Sequence, residues 1–260
     1  MTAAAVAIRA RAERLGVAVS HDVLALGALG VLAVVLLPIV WGTWGDLDSD
    51  SGYDVVAGMR VADGEVPYRD FTYFYGPLAP GLSGLGVLLA GSGFGSAIAI
   101  GLLLTAGIVA ATYALGRSLL SPLGAFLAAA LTLAVALIPN NYSYVLPHTH
   151  AATLGTLLLL AFLIGLVRYA GTRATPLLLA SGVALGLMTL TKPEVTFAAT
   201  ATAGLWLLLR AVARMSWRRE ALLLAAPAAA IPVLVYGGLL TIVSFDRLVF
   251  ENLYPVDELR

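Results

Sequence analysis

Residues 23–41 read VLALGALGVLAVVLLPIVW, nineteen positions without a charge. At 1.5 Å per residue such a helix is about 28 Å long, close to the ~30 Å hydrocarbon core of a bilayer. Working outward, runs of the same character fill the neighbourhoods of 23–43, 94–115, 122–138, 151–168, 175–191, 194–212 and 221–243. Hydrophobic residues make up 60% of the 260 positions and charged ones 12%. An average soluble domain has roughly 45–50% and about 25%, so this surplus has no water-soluble core to hide in. The short alternating segments of an outer-membrane barrel are absent. The expected fold class is all-α: a polytopic membrane protein with about seven transmembrane helices.

Three parts follow: an N-terminal segment 1–22, a transmembrane module 23–244 whose first outer loop is 45–76, and an outer-face tail 245–260. The stretch 77–90 is apolar but rich in Gly and Pro and short for a crossing, and is expected to lie as a helix at the interface. Arg9, Arg11 and Arg14 precede the first run, which exceeds the ~7–15 apolar residues of a signal peptide. It is read as an uncleaved span.

The net charge is zero, but the two signs are segregated. With the N-terminus inside, ten basic residues face three acidic ones on the inner side, and five basic face twelve acidic on the outer. That asymmetry fits the positive-inside rule for a cytoplasmic N-terminus. Fourteen arginines against one lysine, with abundant Ala, Leu and Gly, suggest a GC-rich bacterial genome and hence the bacterial inner membrane. With no cysteine, disulfides, thiolate metal sites and thiol catalysis are excluded. No GxGxxG or P-loop supports a nucleotide-bound donor, and no nucleic-acid partner is expected.

The chemistry collects on the outer side. The first loop runs GDLDSDSGYDVVAGMRVADGEVPYRDFTYFYGPL, with Asp46, Asp48, Asp50 and Asp54 directly after the first span. Val55, Val56, Met59 and Ala62 form a helical stripe over 51–63, ended by Gly64. Asp50 stands where an N-cap would, and Asp54 one turn on. Crowded carboxylates near low dielectric raise one another's pKa, which suits a general base or a divalent-cation site; a cap with solvated neighbours is the plain alternative. The second outer segment, PNNYSYVLPHTH, offers His148 and His150 at a spacing that places them on no common helix face, without a metal motif. They are candidates to hydrogen-bond sugar or phosphate. Lys192, the only lysine, ends a span beside Glu194 and is a functional candidate or a snorkelling partner of that glutamate. Most aromatics of the first loop are read as interface anchors, with Tyr73 and Tyr75 open between anchoring and sugar stacking.

The acidic motif after the first span, the juxtamembrane helix, Gly64-x-x-Pro67-Tyr68-Arg69-Asp70-Phe71 and Tyr75-Gly76-Pro77-Leu78 together resemble the GT-C superfamily. More narrowly the chain is similar to bacterial membrane glycosyltransferases of the protein mannosyltransferase-like kind. The likeness covers about 23–198 and is most specific over 50–78. It implies transfer of a sugar from a polyprenyl-phosphate donor to a lipid, glycan or protein acceptor, with inversion, at the outer face. It also implies a catalytic Asp in the first outer loop. The family's usual Asp-Glu pair is replaced here by Asp48-Ser49-Asp50-Ser51-Gly52; Asp50 is taken as the base and Asp48 as second choice. Asp54, Arg69, Asp70, Tyr75, His148, His150, Lys192 and Glu194 are the expected substrate-binding residues. The resemblance implies a longer complete protein, so the chain is read as truncated. A transporter or flippase component and a non-catalytic subunit are the competing readings; near-absence of charge within the spans speaks for an interfacial active site.

Overall fold

The computed structural model describes residues 3–45, 50–139 and 142–253, with side chains over 21–45, 50–139 and 142–252. Ten helices are found in those residues: α1 (Ala3–Val40), α2 (Asp50–Ala62), α3 (Leu78–Ala90), α4 (Phe94–Leu119), α5 (Pro122–Ala136), α6 (His150–Thr172), α7 (Thr175–Met188), α8 (Pro193–Val212), α9 (Trp217–Leu239) and α10 (Phe245–Leu253). No strand occurs among the described residues beyond an isolated bridge between Pro67 and Phe71. That is what a bilayer demands, since a helix satisfies its own backbone where water is missing.

Hydrogen bonds at the two ends of the bundle fix the direction of each long helix. At one end Trp44 Nε1 after α1 donates to Leu137 O after α5 at 3.2 Å. There too Tyr236 OH of α9 donates to Thr189 O after α7 at 2.9 Å. At the opposite end Arg117 of α4 meets Asp22 of α1 at 2.7 Å. Buried Glu220 of α9 accepts from Arg210 Nε of α8 at 2.7 Å and from Tyr169 OH of α6 at 3.0 Å. Helices α1, α4, α5, α6, α7, α8 and α9 therefore run end to end in alternating directions.

Five helical segments are long and apolar enough to cross a membrane: His21–Val40, Phe94–Leu119, His150–Thr172, Pro193–Val212 and Trp217–Leu239. The expected spans at 122–138 and 175–191 become α5 and α7, of 15 and 14 residues. At 1.5 Å per residue these are about 20 Å long, short of a full crossing. Helix length thus marks five candidate spans among the described residues, with α5 and α7 as shorter apolar helices beside them. α3 forms as the short helix anticipated for 77–90. Val31, Val34 and Ile39 of α1 and Val233 and Leu234 of α9 point outward and exposed, a surface suited to lipid rather than water.

Sequence signals set the helix starts. Ser121 caps α5 by accepting from Gly124 N at 3.2 Å, and Thr149 caps α6 by accepting from Ala151 N at 3.1 Å. Pro122 and Pro193 occupy first-turn positions whose missing N–H costs nothing. α10 was not expected: residues 245–253 were read as polar tail. Leu248, Glu251 and Asn252 recur at helical spacing and are buried against the bundle, while Phe245 stays exposed.

α4 approaches the 143–147 segment so closely that a Cβ on Gly101 would lie 1.7 Å from Val145 O. Gly101→Ala is expected to destabilise the protein by about 2 kcal/mol or more. Gly204→Ala in α8, where a Cβ meets nothing within 4 Å, should be neutral. Thermal unfolding of both variants in detergent checks this.

Candidate functional site

The loop-bearing end of the bundle is organised around Asp54. α2 brings its carboxylate inward, 2% exposed, against the start of α6. Oδ1 accepts from Tyr73 OH at 2.7 Å and Thr149 Oγ1 at 3.2 Å. Oδ2 accepts from His150 N at 2.9 Å and lies 2.8 Å from His150 Nδ1. Burial pushes this acid up, but the His150 imidazole, the Tyr73 hydroxyl and the His150 backbone N–H outweigh it and hold Asp54 below the usual carboxylate range. Burial and the Asp54 charge push the Tyr73 phenol well above its ordinary value, so it remains a donor. Asp54 and Thr149 together satisfy first-turn N–H groups of α6, where the helix dipole also favours an anion. His150 Nε2 is buried without a partner among the described residues. Ser51 Oγ, donating to Pro147 O at 2.9 Å, makes a second tie between α2 and this segment.

A more exposed layer lies above this knot. Asp50 opens α2 and is exposed. Lys192 Nζ is 3.3 Å from His148 Nε2 and 5.3 Å from the centre of the Tyr75 ring. Segment 76–78 is laid against the end of α7: Gly76 N donates to Thr191 O at 2.7 Å and Leu78 N to Leu190 O at 3.0 Å. A Cβ on Gly76 would lie 2.1 Å from Leu190 C, so only glycine lets Tyr75 come this near Lys192. Burial first, then the Lys192 charge, lower the His148 pKa, while Asp50, Asp54 and Glu194 pull it the other way. Burial raises the Tyr75 pKa, and Asp50 and Glu194 add to the rise. Asp50, Tyr75, His148, Lys192 and Glu194 therefore share one electrostatic patch. Lys192 makes no ion pair with Glu194 or any other carboxylate among the described residues.

Arg69 and Asp70 are placed elsewhere. Arg69 grips Asp70 with two bonds, at 2.9 and 2.7 Å, and Asp70 Oδ2 also accepts from Val66 N at 2.8 Å. Arg69 foremost, then that N–H, lower Asp70 to about 2. This clasp shapes a turn in which Tyr68 takes a φ of 69°, and it touches none of the patch residues. Arg60 is held by Glu65 at 2.5 Å and lies over Phe71. Asp46 and Asp48 lie outside the described residues, so the second choice of base has no described geometry. Among the described residues no group of three or more His, Asp or Glu side chains is arranged to hold a metal ion.

Beside the patch opens a largely apolar groove of about 560 Å³, walled by Thr191, Pro193, Phe197, Tyr236, Leu248 and Asn252. Thr191 and Pro193 of this lining flank Lys192 in sequence, while the Lys192 side chain itself is directed to His148 and Tyr75. Sequence reasoning missed Thr149, Tyr236, Glu251 and Asn252. Of these only Thr149, a cap-forming residue before an apolar run, carried a legible signal.

Because Lys192 depresses His148, Lys192→Met is expected to raise the midpoint of the His148 imidazole titration. The wild-type midpoint should lie below the ordinary 6.5 of histidine. Histidine NMR across pH measures both.

Residues 75–236, more than half of the chain, match the sequence profile of one protein family. No curated protein and no solved structure matches the chain. Helices long enough to span a membrane, a polar site at one bundle end and this match agree on a membrane glycosyltransferase of the GT-C type. The chain belongs to the dolichyl-phosphate-mannose-protein mannosyltransferase family.

Proposed function

We propose that the chain transfers a sugar from a polyprenyl-phosphate donor to a hydroxyl of a lipid, glycan or protein acceptor, at the extracytoplasmic face of a bacterial inner membrane. The observation that carries this reading is the setting of Lys192. The chain's single lysine has no carboxylate partner among the described residues, caps the N-terminal end of α8 and stands beside an apolar groove. A cation and a helix N-terminus beside a hydrocarbon-lined groove suit a phosphate joined to a long apolar chain.

In the proposed reaction the acceptor oxygen attacks the anomeric carbon as its proton passes to the Asp50 carboxylate. The bond from that carbon to the phosphate oxygen breaks, and its electron pair leaves with the polyprenyl phosphate. Lys192 meets the extra negative charge this leaving group develops. Attack opposite the leaving group inverts the anomeric centre. His148, kept neutral by burial and by Lys192, accepts from the ammonium and orients it. The Tyr75 ring supports the same cation from its face. Glu194, exposed in the first turn of α8, is assigned to the acceptor or sugar side. Asp54 and His150, both buried, hold α2 against α6 so that Asp50 faces the patch, and the Arg69–Asp70 clasp shapes the loop.

Membranes incubated with radiolabelled polyprenyl-phosphate sugars test the reading. Asp50→Asn is expected to slow transfer by about 100-fold or more, the usual scale for losing a general base. Lys192→Met should raise the donor KM. Absence of label transfer by the wild type from every such donor would argue against the enzyme, and transfer untouched in Asp50→Asn would remove Asp50 as the base.

A further inference from the structure

α10 lies beyond the segment that matches the family, yet two of its side chains, Arg247 and Glu251, bond to the backbone of the first loop next to Tyr73 and Tyr75. Glu251 is buried, its side chain 3% exposed. Its Oε2 accepts the Tyr73 backbone N–H at 2.8 Å, and its Oε1 accepts from Arg247 Nε at 2.9 Å. Arg247 also reaches over to donate to Arg69 O at 3.1 Å. Asn252 Oδ1 lies 3.1 Å from Tyr236 OH and 3.5 Å from Tyr68 OH. The Tyr68 hydroxyl gives its proton to Tyr75 O at 2.5 Å. The backbone of 73–75 is thus gripped at its first N–H by Glu251 and at its last carbonyl by the Tyr68 hydroxyl, whose single proton is spent there.

We propose that α10 is a positioning strap, in which Glu251, held in place by Arg247, fixes segment 73–75 so that the Tyr75 ring stays against the Lys192 ammonium. Its value for catalysis rests on Lys192 being the phosphate ligand. Three considerations support it. The stretch 72–75 belongs to no helix, so its backbone depends on such outside partners for its geometry. A buried carboxylate is a poor device for stability alone, because an apolar side chain of like volume often serves as well or better. An acceptor aimed at one backbone N–H does supply a defined position. Finally, the same strap forms a wall of the apolar groove through Leu248 and Asn252, so one short helix borders both the groove and the segment that supports its cation.

Because Lys192 is the only lysine, reductive methylation of the full chain with isotope-labelled formaldehyde gives one lysine NMR signal besides that of the amino terminus. Its position reads the ring current of Tyr75, and Tyr75→Leu supplies the reference without the ring. Glu251→Ala is expected to move the signal most of the way to that reference, and Arg247→Ala in the same direction. Glu251→Gln keeps an acceptor for the Tyr73 N–H and should leave it near the wild-type position. Arg247→Ala, which releases the Glu251 carboxylate and the Arg69 carbonyl together, carries the test should Glu251→Ala fail to fold. In parallel, farnesyl phosphate is expected to bind unmodified Glu251→Ala protein roughly tenfold more weakly than wild type. A lysine signal unmoved in the alanine variants overturns the strap. A signal that moves while farnesyl phosphate affinity stays constant upholds the strap and removes Lys192 as the phosphate ligand.

Discussion

Asp54 draws four donors from two parts of the chain more than seventy residues away from one another: the hydroxyl of Tyr73, the hydroxyl of Thr149, and the backbone and ring nitrogens of His150. A carboxylate this deep would neutralise itself if left alone, since desolvation penalises only the charged form. The donors reverse that preference, and the charge in turn orients every one of them. Taking away the acid would strand several buried polar groups at once, which is why its influence exceeds that of any single hydrogen bond. The first loop, the segment 143–149 and the N-terminus of α6 keep their mutual positions largely through this one side chain.

From that anchoring follows the electrostatic character of the patch above it. Lys192, His148, Asp50 and Glu194 act on one another in a region half shielded from water, where charges count for more than on an open surface. The imidazole of His148 beside an ammonium is kept neutral, so it serves as an acceptor toward Lys192 and does not compete with it for an anion. The clasp of Arg69 with Asp70, and that of Arg60 with Glu65, neutralise the loop's other cations locally. Lys192 makes no direct ion pair among the described residues, its nearest polar partner being His148. An anionic group with an apolar tail meets there both a charge and a groove.

Much of this was legible in residue order and some was not. Long uncharged runs gave away α1, α4, α6, α8 and α9 because lipid imposes length and composition together. α5 and α7 are shorter than their apolar runs: the chain leaves α5 ahead of Pro139, and α7 ends in the turn before Lys192-Pro193. α2 was readable from Asp50 to Gly64, whose φ of 89° suits a stop signal. α10 was not, since nine residues mixing charge with Phe and Leu show their face only when a bundle is there to receive it. Nor does any local pattern tell that Asp54 pairs with His150 or Glu251 with the Tyr73 N–H, because sequence carries no metric for such separations. The most specific motif, over 50–78, overlaps the matched family segment only at its last few residues, so the family rests on the bundle and the site on the loop.

The two layers of the site share a common origin in the chain. Each buried member has a less buried counterpart close by in sequence: Asp54 with exposed Asp50, Tyr73 with half-buried Tyr75, His150 with half-buried His148. Within α2 four residues make about one turn, so Asp50 stands directly above Asp54. Thr149, with φ −157° and ψ 136°, is extended, and the histidines on either side of it take different partners. His150 locks onto Asp54 while His148 turns to Lys192. A displacement of any inner residue is therefore carried by a few covalent bonds to its outer counterpart, which gives the buried layer control over the exposed one without any contact of its own with a substrate. That arrangement favours precise placement of the outer groups at a membrane boundary, where mobile lipid offers no rigid wall to do so.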